Sequence, residues 1–270
     1  GIEKKFKIIA IGILFGFFTF LTGTIRSKIE DVSAALPTFT IKTMTPLLFL
    51  LAALPGVLIS WYIYRADKFE QEPRLPIVLC FVLGALATWP ALQTEIWAHA
   101  ATGVRYRRDV LSAGFHSFVI VGLTEEGVKW LCLLAYPFFR SFFNEPMDGI
   151  LYAVLIAMGF ATMENIAYAN QFGISTTVMR GFTAVPAHGA FAVIMGYYVG
   201  KAKFDPGRRW KLLLRGLLMA VLVHGAYDFL FVQELYSELV LLVAVVLGLG
   251  IYYGQKLIRE HQDNSPFRKP

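Results

Sequence analysis

Charged residues are scarce in this chain and cysteine is nearly absent, and each shortage removes a class of protein from consideration. Asp, Glu, Lys and Arg make up 16% of its 270 residues, against about 25% in an average soluble domain. That is too little charge to solvate the surface of a soluble domain. The two cysteines, Cys80 and Cys132, each sit inside an apolar segment, where a thiol behaves as a small hydrophobe; neither a disulfide framework nor a thiolate metal site is expected. No low-complexity tract, coiled coil, internal repeat or separate soluble domain is visible. The net charge of +6 resides in short loops beside apolar runs, so it determines topology and does not form a nucleic-acid surface.

What is present is hydrophobicity. Apolar residues make up 56% of the chain and the mean hydropathy is +0.57, with runs that approach the roughly 20 residues needed to cross a bilayer. The reading is an all-α fold: a polytopic helical bundle, one integral membrane domain over residues 1–270. Spans are expected near 7–25, 46–64, 75–97, 116–136, 148–170, 181–200, 212–232 and 237–258. The first follows Lys4, Lys5 and Lys7 with no small-residue cleavage pattern close behind, so it reads as a membrane helix and not as a signal peptide. Eight spans put both termini on one side. That side holds 16 Lys and Arg and the other 7, which places both termini in the cytoplasm.

Ionisable side chains inside a span are costly and mark function by default. Four spans here carry them: Glu125, Glu126 and Lys129 in the fourth, Glu164 and Asn165 in the fifth, His188 in the sixth, and His224 with Asp228 in the seventh. At 1.5 Å per residue, Glu125 lies roughly 13 Å, Glu164 roughly 9 Å, and His188 and His224 roughly 10 Å from the outer ends of their spans. The four depths agree, which places the polar groups in one layer of the outer half of the bilayer.

Local spacing suggests roles. Lys129 follows Glu125 by four residues and Glu126 by three, so it neutralises one carboxylate and leaves the other for chemistry. Adjacent glutamates diverge by about 100° on a helix, so only one is expected to aim at a given point. Glu125 is taken as the catalytic one and Glu126 as partly structural. His224 and Asp228, four apart, allow a carboxylate to orient an imidazole. Pro186, two residues before His188, is expected to disturb its helix and free backbone groups. The set suits hydrolysis in two ways. Imidazoles and a carboxylate can hold zinc, with Glu164, His188 and His224 as the expected ligands and another Glu as base; or Glu125 and Glu164 activate water directly while a His stabilises the oxyanion. The sequence leaves both open.

The motifs EExxK at 125–129, FxxxEN at 160–165, the proline-preceded His188 and HxxxD at 224–228 resemble those of the PrsW family of intramembrane proteases. So does the acidic segment Asp67 to Pro73. The resemblance spans about 55–232, with the catalytic core at about 112–232, and extends to the wider superfamily of the CAAX prenyl proteases. Those relatives typically show EExxxR, so the shorter spacing to Lys129 fits PrsW better. It implies a metalloprotease of the bacterial plasma membrane whose functional set is Glu125, Glu126, Glu164, His188 and His224, with Asp228 accompanying. Its implied partner is a membrane-anchored protein, anti-sigma-factor-like, cleaved on the extracytoplasmic side. A CAAX-type peptidase with another substrate class and an ion- or proton-coupled transporter are the alternatives; a transporter would be expected to show inverted repeats.

The remaining polar residues have plainer readings. Lys129 balances charge, with Asn165 and Asp228 as supporting residues. The 67–73 segment is a solvated loop. His99, His116 and His261 are ordinary polar residues in loops or at span ends, and Glu95, with Trp89 and Trp97, anchors an interface. The connections 26–45 and 99–115 fall outside the membrane, where they are open to a substrate's exposed part.

Overall fold

The computed structural model describes residues 44–104, 109–233 and 237–268. The expected first helix, nearly all of the 26–45 connection, and Arg105, Arg107 and Arg108 lie outside these residues. The described residues form helices α1 (Pro46–Ala66), α2 (Arg74–Thr102), α3 (Val110–Phe115), a π-helical segment (His116–Gly122), α4 (Leu123–Ala135), α5 (Pro146–Phe172), α6 (Ile174–Phe182), α7 (Ala184–Phe204), α8 (Arg209–Val232), a 3-10 turn (Ser237–Leu241) and α9 (Leu242–Asp263). Six helical stretches are long and apolar enough to cross a membrane: Pro46–Ala66, Arg74–Thr102, Pro146–Phe172, Ile174–Phe204, Arg209–Val232 and Glu238–Asp263. The stretch expected as a span at 116–136 is also helical from His116 to Ala135, continuing α3, but carries three charged residues and the π segment.

Local chemistry sets the helix ends. Thr45 accepts a hydrogen bond from the Leu48 amide at 3.3 Å and Pro46 opens α1. Asp109 caps α3 through the Ser112 amide at 2.8 Å. Gly103, at φ 64°, ends α2 in the left-handed conformation. Pro186 lies in the first turn of α7, not in its interior. A proline cannot donate to the carbonyl four residues back, that of Phe182, and the helical stretch 174–204 is interrupted beside it, in keeping with the expected disturbance. The interruption falls earlier, at Thr183, which joins α6 to α7.

Helix α5 is the axis of the molecule, buried almost continuously from Met147 to Thr162 and packed by α7, α2 and α1. Such burial requires close helix approach, and glycines provide it. Gly149 faces Gly196 and Gly200 across the α5–α7 crossing, where an added methyl group would strike backbone on the opposite helix. Outer helices show the opposite pattern. Leu47, Leu50, Leu54, Leu58 and Trp61 form an exposed stripe along α1, as expected for a lipid-facing surface.

Candidate active site

The π-helical segment His116–Gly122 lies immediately before Glu125 and Glu126. A wide turn of this kind resets the helix register and recurs at functional sites. Gly122 closes the wide turn, since a side chain there would strike the Ser117 carbonyl, and it lies in contact with the α8 backbone at Val221. From this platform, α4 presents Glu125, Glu126 and Lys129 inward, with the three residues 5%, 1% and 3% exposed.

The polar groups of four helices meet. Lys129 Nζ donates to Glu126 Oε1 at 2.7 Å, to Glu125 Oε2 at 3.3 Å and to His188 Nδ1 at 3.1 Å. An ammonium has no lone pair, so Nδ1 of His188 must accept and its proton resides on Nε2. That Nε2–H donates to Glu164 Oε2 at 3.1 Å. On α8, His224 Nδ1 lies 2.8 Å from Glu126 Oε1 and Nε2 lies 3.2 Å from Asp228 Oδ2. Each nitrogen of the His224 ring thus faces a carboxylate. His188 and His224 stand edge to face with centroids 5.2 Å apart, Phe191 stacks on His224, and the Lys129 ammonium lies 4.4 Å from the centre of the Phe160 ring.

The structure thus brings Glu125, Glu126, Lys129, Glu164, His188, His224 and Asp228 together. Both adjacent glutamates reach one point. Their Cβ atoms diverge, but glutamate side chains are long enough to fold back onto a shared ammonium, so the expected exclusion of one of them does not hold. Lys129 contacts both carboxylates instead of sparing one. Asn165 is not in the cluster; its side-chain amide donates to the Ala52 carbonyl at 3.0 Å and fixes α1 to α5.

Two members were not visible beforehand. Arg180 of α6 pairs with Glu164 Oε1 at 2.8 Å and lies 3.8 Å above the Tyr168 ring. The sequence placed it in a connection and counted it among the topology charges. It carries no local signal, because only the fold of α6 against α5 puts it here. Glu95 is 6% exposed and interacts electrostatically with Glu125, Glu164 and Asp228, so it is part of this site and not an interfacial anchor. Its signal was present, since Glu95 already falls within the expected span 75–97, and α2 continues five residues beyond that end to Thr102.

Three other expectations change. His116 is buried against His99, at 4.9 Å between ring centroids. His261 is 2% exposed, donates from Nδ1 to the Pro146 carbonyl at 2.8 Å and stacks on Tyr197, tying α9 to the start of α5. The 67–73 segment is not fully solvated, because its Asp67 and Glu72 are 3% and 2% exposed. Burial first, then the Glu145 carboxylate, pushes Asp67 up to about 8; burial, then Glu70, pushes Glu72 up to about 7.

A metal fits the donor set. Glu125, His188 and His224 each bring one ligating atom within 4.8 Å of the other two, which is the two-imidazole, one-carboxylate combination of catalytic zinc. The trio differs from the expected one in having Glu125 in place of Glu164, whose oxygens are engaged by Arg180 and His188. Charge agrees. Among the described residues, Glu125, Glu126, Glu164 and Asp228 face two permanent cations, Lys129 and Arg180, so the site has room for further positive charge.

Residues 72–253 match the model of the PrsW family of intramembrane metalloproteases, which is two thirds of the chain. The chain belongs to the PrsW family of intramembrane proteases. It is 36% identical over 180 residues to a protein named Protease PrsW from Geobacillus kaustophilus, covering 67% of this chain and 77% of that one. Proteins of the same name from Clostridioides difficile and Bacillus subtilis are 32% and 33% identical, covering 75% and 65% of this chain and 86% and 78% of their own. No solved structure matches it. The PrsW match encloses all the clustered residues, including Glu95 and Arg180.

Proposed function

We propose that this chain is an endopeptidase of the bacterial plasma membrane that hydrolyses a membrane-anchored, anti-sigma-factor-like protein near its extracytoplasmic side, with both of its own termini cytoplasmic. The observation that carries the reading is the difference in restraint between carboxylates. Glu126 is held by Lys129 and His224, and Glu164 by Arg180 and His188, whereas Glu125 makes a longer 3.3 Å contact to Lys129. Glu125 is therefore the carboxylate free to take a proton from water.

The other groups support that step. Arg180 fixes Glu164, which fixes the Nε2 proton of His188 and so turns its Nδ1 lone pair toward the centre. Without a metal, Glu126 and Asp228 flank His224 and hold its ring at the centre, where the positive charge of an imidazolium would offset negative charge that develops on a peptide oxygen. In the alternative route, with His224 neutral, Glu125, His188 and His224 would hold a zinc-like ion that would polarise a carbonyl and acidify bound water, and Glu125 would then be a ligand and not the base. The burial of Glu125, Glu126 and His224 keeps bulk water away and strengthens these interactions.

The test is cleavage of membrane-anchored candidate substrates by the full chain in liposomes, comparing wild type, Glu125→Gln and chelator-treated protein. Glu125→Gln is expected to abolish cleavage while the protein stays folded. Undiminished cleavage by that variant would remove Glu125 from the mechanism.

A further inference from the structure

Helix α5 carries a second acidic cluster at its other end. Asp148, near its start, is separated from Glu164 by roughly 24 Å of helix, so the two clusters are distinct. Glu145 caps α5, while Asp67 caps the end of α1 and Glu70 and Glu72 follow in the connection to α2. Two groups of three form around Asp148: Asp67 with Glu145, and Glu70 with Glu72. In each, one oxygen per residue lies within 4.8 Å of the other two.

These carboxylates are not satisfied by the protein. Asp148 Oδ2 accepts from the Asn144 and Glu145 amides at 2.7 and 2.9 Å, Glu70 Oε1 accepts from the Asn144 side chain at 3.2 Å, and Glu72 Oε2 accepts from the Tyr152 hydroxyl. Each of those donors serves one oxygen only. Asp148 Oδ1, Glu72 Oε1 and Asp67 Oδ2 are buried with no hydrogen-bond partner, on side chains that are 0%, 2% and 3% exposed. Among the described residues, no Lys or Arg forms an ion pair with any of the five. An orphaned buried carboxylate oxygen carries a large desolvation penalty, and the three belong to residues of the two groups that share Asp148.

We propose that Asp67, Glu70, Glu72, Glu145 and Asp148 bind a divalent, oxygen-preferring cation of the magnesium, calcium or manganese type, with Asp148 as the shared ligand. The donor set is all oxygen, without imidazole or thiolate, which selects hard cations over zinc or copper. The ion joins the end of α1 and its connection to α2 onto the start of α5, the most buried helix of the molecule. It is a structural clamp on the face remote from the Glu and His cluster.

The experiment is thermal unfolding of the purified full chain in a non-ionic detergent, stripped with chelator and then titrated with Mg2+, Ca2+ or Mn2+. At an ion concentration about 100 times the dissociation constant, the unfolding midpoint is expected to rise by about 5 to 10 °C. The rise should persist in Glu125→Gln, which disables the other cluster, and disappear in Asp148→Asn. Glu70→Gln, at a half-buried position that tolerates substitution more easily, should reduce it even where Asp148→Asn fails to fold. Paramagnetic resonance should count about one tightly bound Mn2+ per chain. No rise with any of the three ions, an undiminished rise in Glu70→Gln, or a rise lost in Glu125→Gln would each overturn the proposal.

Discussion

Arg180 and Glu164 lie 2.8 Å apart, on two helices joined by a single residue, and this pair anchors one side of the candidate active site. Removing one member of a buried ion pair leaves the other charge unpaired, at a cost of roughly 3 to 5 kcal/mol, and some residual solvent access here favours the lower end. Arg180→Met is therefore expected to lower the unfolding midpoint and also to release His188, with loss of cleavage. The double variant Arg180→Met with Glu164→Gln should recover part of the stability and none of the activity. Thermal unfolding beside a cleavage assay separates the two effects.

Lys129 is expected to be the most sensitive single position for folding. Its ammonium serves Glu125, Glu126 and His188 together, and Lys129→Met leaves two buried carboxylates facing each other. Loss of folded protein, read by size-exclusion chromatography and protease resistance, is the expected outcome. A well-folded Lys129→Met protein would mean that the two glutamates share a proton instead of relying on the ammonium.

The two adjacent glutamates should separate by experiment. Glu125→Gln is expected to reduce cleavage by about 100-fold or more with little change in unfolding midpoint, as for removal of a general base. Glu126→Gln should reduce both, because it weakens the Lys129 and His224 contacts at once. Equal stability losses in the two variants would contradict the assignment of distinct roles.

Helix crossing makes a purely steric prediction. Gly196→Ala places a methyl group into the Gly149 backbone and is expected to destabilise by about 1 to 3 kcal/mol. Gly248→Ala on α9 has open space around it and should change stability by less than about 1 kcal/mol. Parallel unfolding curves of the two variants check this.

Much of the site was legible because polar residues inside a span have few structural explanations. The common depth of Glu125, Glu164, His188 and His224 followed from counting residues, and the structure joins them through contacts of 2.7 to 3.3 Å. Helices α1, α5 and α8 begin and end within a few residues of the expected bounds, since apolar length and flanking charge mark them directly. Arg180 escaped because a basic residue between two apolar runs looks the same whether it faces headgroups or folds back into the protein. Asp67 and Glu72 escaped for a related reason: a polar connection looks solvated until a distant helix start covers it.

Sequence alone determined that this chain suits a bilayer, where most of the long apolar helices among the described residues fall, and which side chains are too polar to face lipid, because hydrophobic length and the cost of burying charge are properties of residues and their spacing. Which carboxylate pairs with which cation was decided only in three dimensions. Those pairings span up to about 100 residues of chain, from Glu126 to His224, and depend on how closely glycine-lined helices approach. No local rule encodes a distance set by packing.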